Sequence, residues 1–216
     1  MLKRIAQELR RHVPFTALGT LTGIIIMVII VLGNVPTQIS QTAFYTLHPI
    51  HVILSALVTT AMYVRYRKAK IWAVILIGWT GSVGIATISD VIIPYLSGVL
   101  LHVPMEFEVP FIETSKMPVI GIETWIVVNG AALLGIGLGY WKHITRIPHA
   151  GHILVSTWAS LFYLTSFGTA DWIHLLPFVF LFLFLAVWIP CCTSDIVYPL
   201  LFVKEEMRAS LPDNDY

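Results

Sequence analysis

Long apolar runs alternate with short polar breaks along this chain. The runs fall at residues 14–33, 48–64, 71–100, 118–141, 150–168 and 172–203. Each has at least the roughly 17–25 apolar residues that a helix needs to cross a bilayer. The pattern therefore predicts an all-α integral membrane protein with six transmembrane helices. The first run follows a basic stretch, as in a signal peptide, but it is too long for the apolar core of one and shows no small-residue cleavage site. It reads as a retained span. Leu2, Ile5 and Leu9 predict a short interfacial helix over residues 1–12 ahead of it.

The breaks sort by charge. Lys3, Arg4, Arg10 and Arg11 precede the first run; Arg65, Arg67, Lys68 and Lys70 divide the second from the third; Lys142 and Arg146 follow the fourth; Lys204 and Arg208 follow the sixth. The alternate breaks hold almost no Lys or Arg, and the 102–117 segment carries Glu106, Glu108 and Glu113. Positive charge marks the cytoplasmic side, so both termini are predicted there, in a multi-pass protein of the cell membrane. Residues 1–216 read as one membrane domain ending in a cytoplasmic tail over 204–216. Gly19 and Gly23, and Ala131, Gly135 and Gly139, recur every fourth residue and predict close helix packing.

The two halves of the chain repeat each other. His48, His51, Ser55 and Thr59 match His149, His152, Ser156 and Ser160 at one offset, 149 − 48 = 101. Ser89, Asp90 and Pro94 match Ser194, Asp195 and Pro199 at 195 − 90 = 105. The units are residues 14–101 and 118–203, three spans each. An odd number of spans turns the second unit over, so the repeats are predicted to be inverted, a frequent design in secondary transporters.

Composition confirms the class and narrows the chemistry. Only 12% of residues are charged, against about 25% in soluble domains, and 57% are hydrophobic. A net charge of +1 offers no basic field for nucleic acid. The adjacent Cys191 and Cys192 cannot readily pair with each other, and they read as thiols packed in the helix or as soft metal ligands.

On a helix, positions i, i+3 and i+7 share a face. His48, His51 and Ser55 thus form one polar stripe, and His149, His152 and Ser156 another. A proline cannot bond the carbonyl four residues back, so Pro94 and Pro199 predict helix breaks that free the carbonyls of Asp90 and Asp195. Counting residues from the span ends places the two clusters at opposite faces of the membrane. The expected metal ligands are His48, His51, Asp90, His149, His152 and Asp195, with Ser55, Ser89, Ser156 and Ser194 in support. The expected ion is a zinc-like divalent cation.

The first functional expectation is a small transporter or permease for a cation, divalent metal or proton-coupled, with the lipid bilayer and a small ion or molecule as its partners. A metal-dependent enzyme acting on a lipid-like substrate is the second. A haem, electron-transfer or accessory subunit is the third, and a homo-oligomer is left open. Signatures of proteases, NTPases and hydrolases, such as His-Glu-x-x-His, are missing. Metal analysis of detergent-purified protein should find bound ion in the wild type and none in a His51→Ala, His152→Ala double variant. Equal metal content in both would make these packing histidines.

Overall fold

The protein is described here by a computed structural model. It covers residues 2–66, 70–118, 120–142, 146–193 and 197–202; of residues 2–8, 11, 66, 142, 146–150, 192 and 200 it describes the backbone alone. All regular elements among the described residues are helical. They are α1 (Leu2–Leu32), α2 (Thr37–Tyr66), α3 (Ile71–Leu100), α4 (Thr124–Lys142), α5 (Arg146–Phe167), α6 (Trp172–Cys192) and the short α7 (Tyr198–Leu201). Five of these, all but α5 and α7, contain segments long and apolar enough to cross a membrane.

Several predicted boundaries move. The interfacial helix and the first span are one helix, because Pro14 is accommodated inside α1. There Thr16 and Thr20 donate their hydroxyls to the carbonyls of His12 (3.0 Å) and Thr16 (2.8 Å). Such back-bonding satisfies hydroxyls where water is scarce. The second helix starts at Thr37, eleven residues before the predicted His48, because 37–47 mixes Thr, Gln and Ser with Ile39, Phe44 and Tyr45. His51 thereby moves from a helix end to the fifteenth of thirty residues (51 − 37 + 1), about 21 Å from the helix start at 1.5 Å per residue. The sixth helix ends at Cys192, short of the predicted 203, and α7 follows it.

The third helix runs through Pro94 without breaking. It carries two π turns, at Thr80–Gly84 and Ile88–Ile92, and the second absorbs the proline. In the second, the Ile93 N–H bonds the carbonyl of Ile88, five residues back. In that register the partner missing a donor because of Pro94 is Ser89, one residue before the predicted Asp90. Ser160 on α5 donates its hydroxyl to that Ser89 carbonyl at 3.0 Å.

Helix α2 is the centre of the bundle, packed chiefly on α5 and α4. The small-residue seams form as predicted. A Cβ on Gly135 would strike the carbonyl oxygen of Ile53, and one on Gly139 that of Leu57, so α4 lies on the α2 backbone itself. Both contacts advance by four residues together, so α4 runs parallel to α2. Gly19 and Gly23 of α1 face Leu154, Thr157 and Trp158 of α5, again in parallel register. Helices α2 and α5 run antiparallel: Phe44 meets Tyr163 and Phe167, while His51 meets His152. The first helix also packs on α6, and α4 on α3.

The segment between α3 and α4 folds over one end of the bundle. The Glu106 N–H bonds the carbonyl of Phe167 at 2.8 Å, and the Tyr163 hydroxyl donates to the Glu106 carbonyl at 3.0 Å. The Met105 side chain fills the space left by Gly98 and Gly168.

Gly135→Ala and Gly139→Ala should each lower stability by about 1–3 kcal/mol, the usual cost of overpacking. Gly137→Ala, where a Cβ meets nothing within 4 Å, should be neutral or slightly stabilising. Thermal unfolding in detergent checks the contrast.

Candidate metal centre

Asp90 sits in the second π turn of α3 with no solvent exposure. Each of its carboxylate oxygens accepts two hydrogen bonds. His48 Nδ1 donates to Oδ2 at 2.9 Å and His51 Nδ1 to the same oxygen at 2.7 Å. Ser89 donates to Oδ1 at 2.7 Å and Ser156 to Oδ1 at 2.8 Å. The donors come from α2, α3 and α5.

This set dictates the state of the imidazoles. A carboxylate only accepts, so both histidines carry their proton on Nδ1. In its neutral form, a ring so protonated presents a lone pair at Nε2, an atom that binds metals. The lone pair of His51 faces Cys191 on α6, whose Sγ lies 3.9 Å from Nε2 and 3.5 Å from the Ser156 hydroxyl. The His152 ring stacks on His51, with centroids 5.6 Å apart and planes 11° from parallel. Donor atoms of His51, His152 and Cys191 all lie within 4.8 Å of one another, and all three residues are buried. His48 Nε2 is buried without a hydrogen-bond partner among the described residues, and its ring stacks on Phe44 at 5.5 Å.

The donor set fits a metal ion. Two imidazole nitrogens and a thiolate are standard zinc ligands, at about 2.0–2.1 Å and 2.3 Å. Tetrahedral ligands at those bond lengths stand about 3.3–3.7 Å apart. A contraction of roughly 1 Å therefore closes the cluster on an ion. A carboxylate bonded to the far nitrogen of a ligating histidine is the usual outer support of such a site, fixing ring orientation and raising basicity. Asp90 holds that place behind His51.

The arrangement departs from the expectation in three ways. Among the described residues, His48, His51 and Asp90 of the first repeat meet His152 and Ser156 of the second, where separate clusters at opposite faces were expected. The shift of His51 to mid-helix is the physical reason. Asp90, expected as a ligand, has both oxygens filled by its four donors and faces the metal position only through His51. Cys191, read chiefly as packing, stands where a ligand would. Ser55 and Pro199 are buried apart from the Asp90 oxygens. His149 belongs to α5 with only its backbone described; Ser194 and Asp195 lie outside the described residues. The convergence of Cys191 and the support from Ser160 depend on tertiary packing. The sequence signal nearest to them is the match of Ser160 to Thr59.

An aromatic cluster of Phe44, Tyr45, Tyr163 and Phe167 separates His48 from the 101–123 segment. Beyond it the Tyr45 hydroxyl donates to the Glu113 carboxylate at 2.9 Å, and Ser115 also bonds Glu113. Burial, with Glu113 and Glu106 nearby, pushes the Glu108 carboxyl above the ordinary carboxylate range. The site thus lies behind an aromatic layer with acidic groups on its far side.

No family model matches the chain, and no curated protein or solved structure matches it.

Asp90→Asn removes the charge and puts a donor NH2 in place of one oxygen, so either the two imidazoles or the Ser89 and Ser156 hydroxyls lose their acceptor. Zinc affinity, read by competition with a chelating dye, should fall by about 10–100-fold, the usual loss for an outer support. Unchanged affinity would remove Asp90 from the site.

Proposed function

We propose that the chain is a small permease that moves a metal cation through a site shared by two inverted three-helix repeats. The observation that carries this reading is the contact between His51 and His152. They hold the same position in the two sequence repeats, 152 − 51 = 101, yet their rings stack on each other. Residues related by a two-fold axis can touch only where the axis passes between them. A cation held there belongs equally to both halves.

The packing supports the same symmetry. The first helix of each repeat lies on the second and third helices of the other: α1 on α5 and α6, α4 on α2 and α3. Both first helices run parallel to the second helix they touch. Coupled to the antiparallel α2 and α5, this supports two repeats of opposite direction. Sites at the interface of inverted repeats are where secondary transporters bind their substrates. A buried carboxylate with two imidazoles is costly in a bilayer and is kept there for an ion path or proton relay. The aromatic layer and the acidic groups beyond it give the site a closed side and an attractive approach. On the distribution of Lys and Arg, both termini face the cytoplasm.

The three donors leave a fourth coordination position open, which also favours a zinc enzyme acting on a lipid. Retained zinc with lipid turnover, and no ion flux, would select that second reading.

Proteoliposomes containing a zinc-sensitive dye provide the test. The wild type should admit zinc, and Asp90→Asn and Asp195→Asn should each lower the initial rate at least tenfold with unchanged folded yield. Wild-type rates in both variants would overturn the permease reading.

A further inference from the structure

We infer that the His51–His152–Cys191 cluster selects a thiophilic divalent cation of the zinc and cadmium class, and that Cys191 makes this site strong in only one of the protein's two transport states. The inference rests on the permease reading and adds the class of ion and a direction to it.

The ion class follows from donor type and charge. A thiolate beside two imidazoles favours soft and borderline cations over magnesium, calcium or manganese. Binding deprotonates Cys191 and releases that proton to solvent. The loaded site then holds two negative charges, the Cys191 thiolate and the Asp90 carboxylate, with His51 and His152 neutral. A divalent ion cancels them.

The direction follows from where the repeat fails. If the two repeats exchange conformations, every residue takes the place of its partner at the other end of the offset. His51 and His152 exchange with each other, so both states keep two imidazoles. The partner of Cys191 is residue 191 − 105 = 86, and that residue is Ala86. No gap is needed between position 191 and the Ser-Asp pair that sets the offset. Ala86 is buried on α3, between the two π turns, among Val52, Val83 and Val128. In the exchanged state a methyl group stands where the thiolate stood. The site loads in the state described here and loosens in the other.

Cadmium binding tests both halves on the full-length protein in detergent, through the ultraviolet charge-transfer band of a cadmium–thiolate bond. The chain has two cysteines, so Cys192→Ser leaves Cys191 as the single thiol. That variant should show the band, and cadmium should protect its thiol from a membrane-permeant maleimide. Adding Cys191→Ser should abolish the band and weaken binding by about 100-fold or more, beyond the loss of an outer support. In Cys192→Ser protein, moving the thiol by Cys191→Ala with Ala86→Cys should restore the band, because the exchanged state then carries it to the axis.

Absence of both band and protection with Cys191 in place overturns the thiolate site. Failure of the moved thiol to restore the band overturns the one-sided affinity. The protection assay uses an intact Cys191 and so does not depend on how Cys191→Ser folds. Loss of zinc flux with the band intact overturns the permease reading alone; flux without the band overturns the thiolate site alone.

Discussion

One buried carboxylate organises this bundle. Asp90 is an ionisable group in the middle of an apolar assembly, and removing such a charge from water costs several kcal/mol unless it is fully hydrogen-bonded. Its four donors come from three helices, and each constrains where a helix can sit. His48 and His51 fix the rotation of α2, Ser156 fixes α5, and the π turn of α3 swings the carboxylate into reach of both. The Ser160 hydroxyl then caps the carbonyl that the π turn and Pro94 leave without a donor. Local backbone irregularity and the polar site are therefore one feature. A regular α-helix through 88–92 would leave the Asp90 carbonyl without a donor at Pro94 and rotate the Asp90 side chain away from these partners.

The all-helical class was legible because apolar runs of this length have few other fates in a folded chain, and five of the six predicted runs form helices long and apolar enough to cross a membrane. The repeat was legible because polar residues are so rare that His51 and His152, or Asp90 and Asp195, stand out. Depth was not legible. Counting apolar residues started the second helix at His48, whereas the amphipathic 37–47 segment adds three turns before it. The π turns left no mark in the pattern, since each inserts a residue without changing hydrophobicity, and they shift every later face of α3. Cys191 was obscure for a different reason. Nothing in the first repeat matches it, so the logic that exposed the histidines passed it over.

The two packing seams are alike in sequence but unequal in structure. On α4, Gly135 and Gly139 bring main chain against the main chain of α2, where a carbonyl oxygen cannot move aside. On α1, Gly19 and Gly23 meet the Thr157 and Trp158 side chains, which have rotamers to exchange. Helices α2 and α4 therefore form a stiff pair, and α1 against α5 forms a yielding one. The stiff seam lies alongside the helix that carries His48 and His51. The yielding seam carries the Trp158 indole, whose N–H reaches Thr22 at 3.2 Å. Rearrangement is easier at the second than at the first.

The order in which the donors of Asp90 leave the ribosome bears on how the protein is made. His48, His51 and Ser89 precede it, so the first half of the chain supplies three of the four hydrogen bonds once α2 and α3 are made. Ser156 follows 66 residues later. At about 5–20 residues per second, that is roughly 3–13 s of synthesis. During this interval one carboxylate oxygen has a single donor, and the α2 face that α4 and α5 will cover is bare. The half-made protein thus resembles a hairpin with an exposed polar seam. Such an intermediate needs either the shelter of the insertion machinery or prompt arrival of the second repeat, which makes elongation speed through residues 91–156 a determinant of yield.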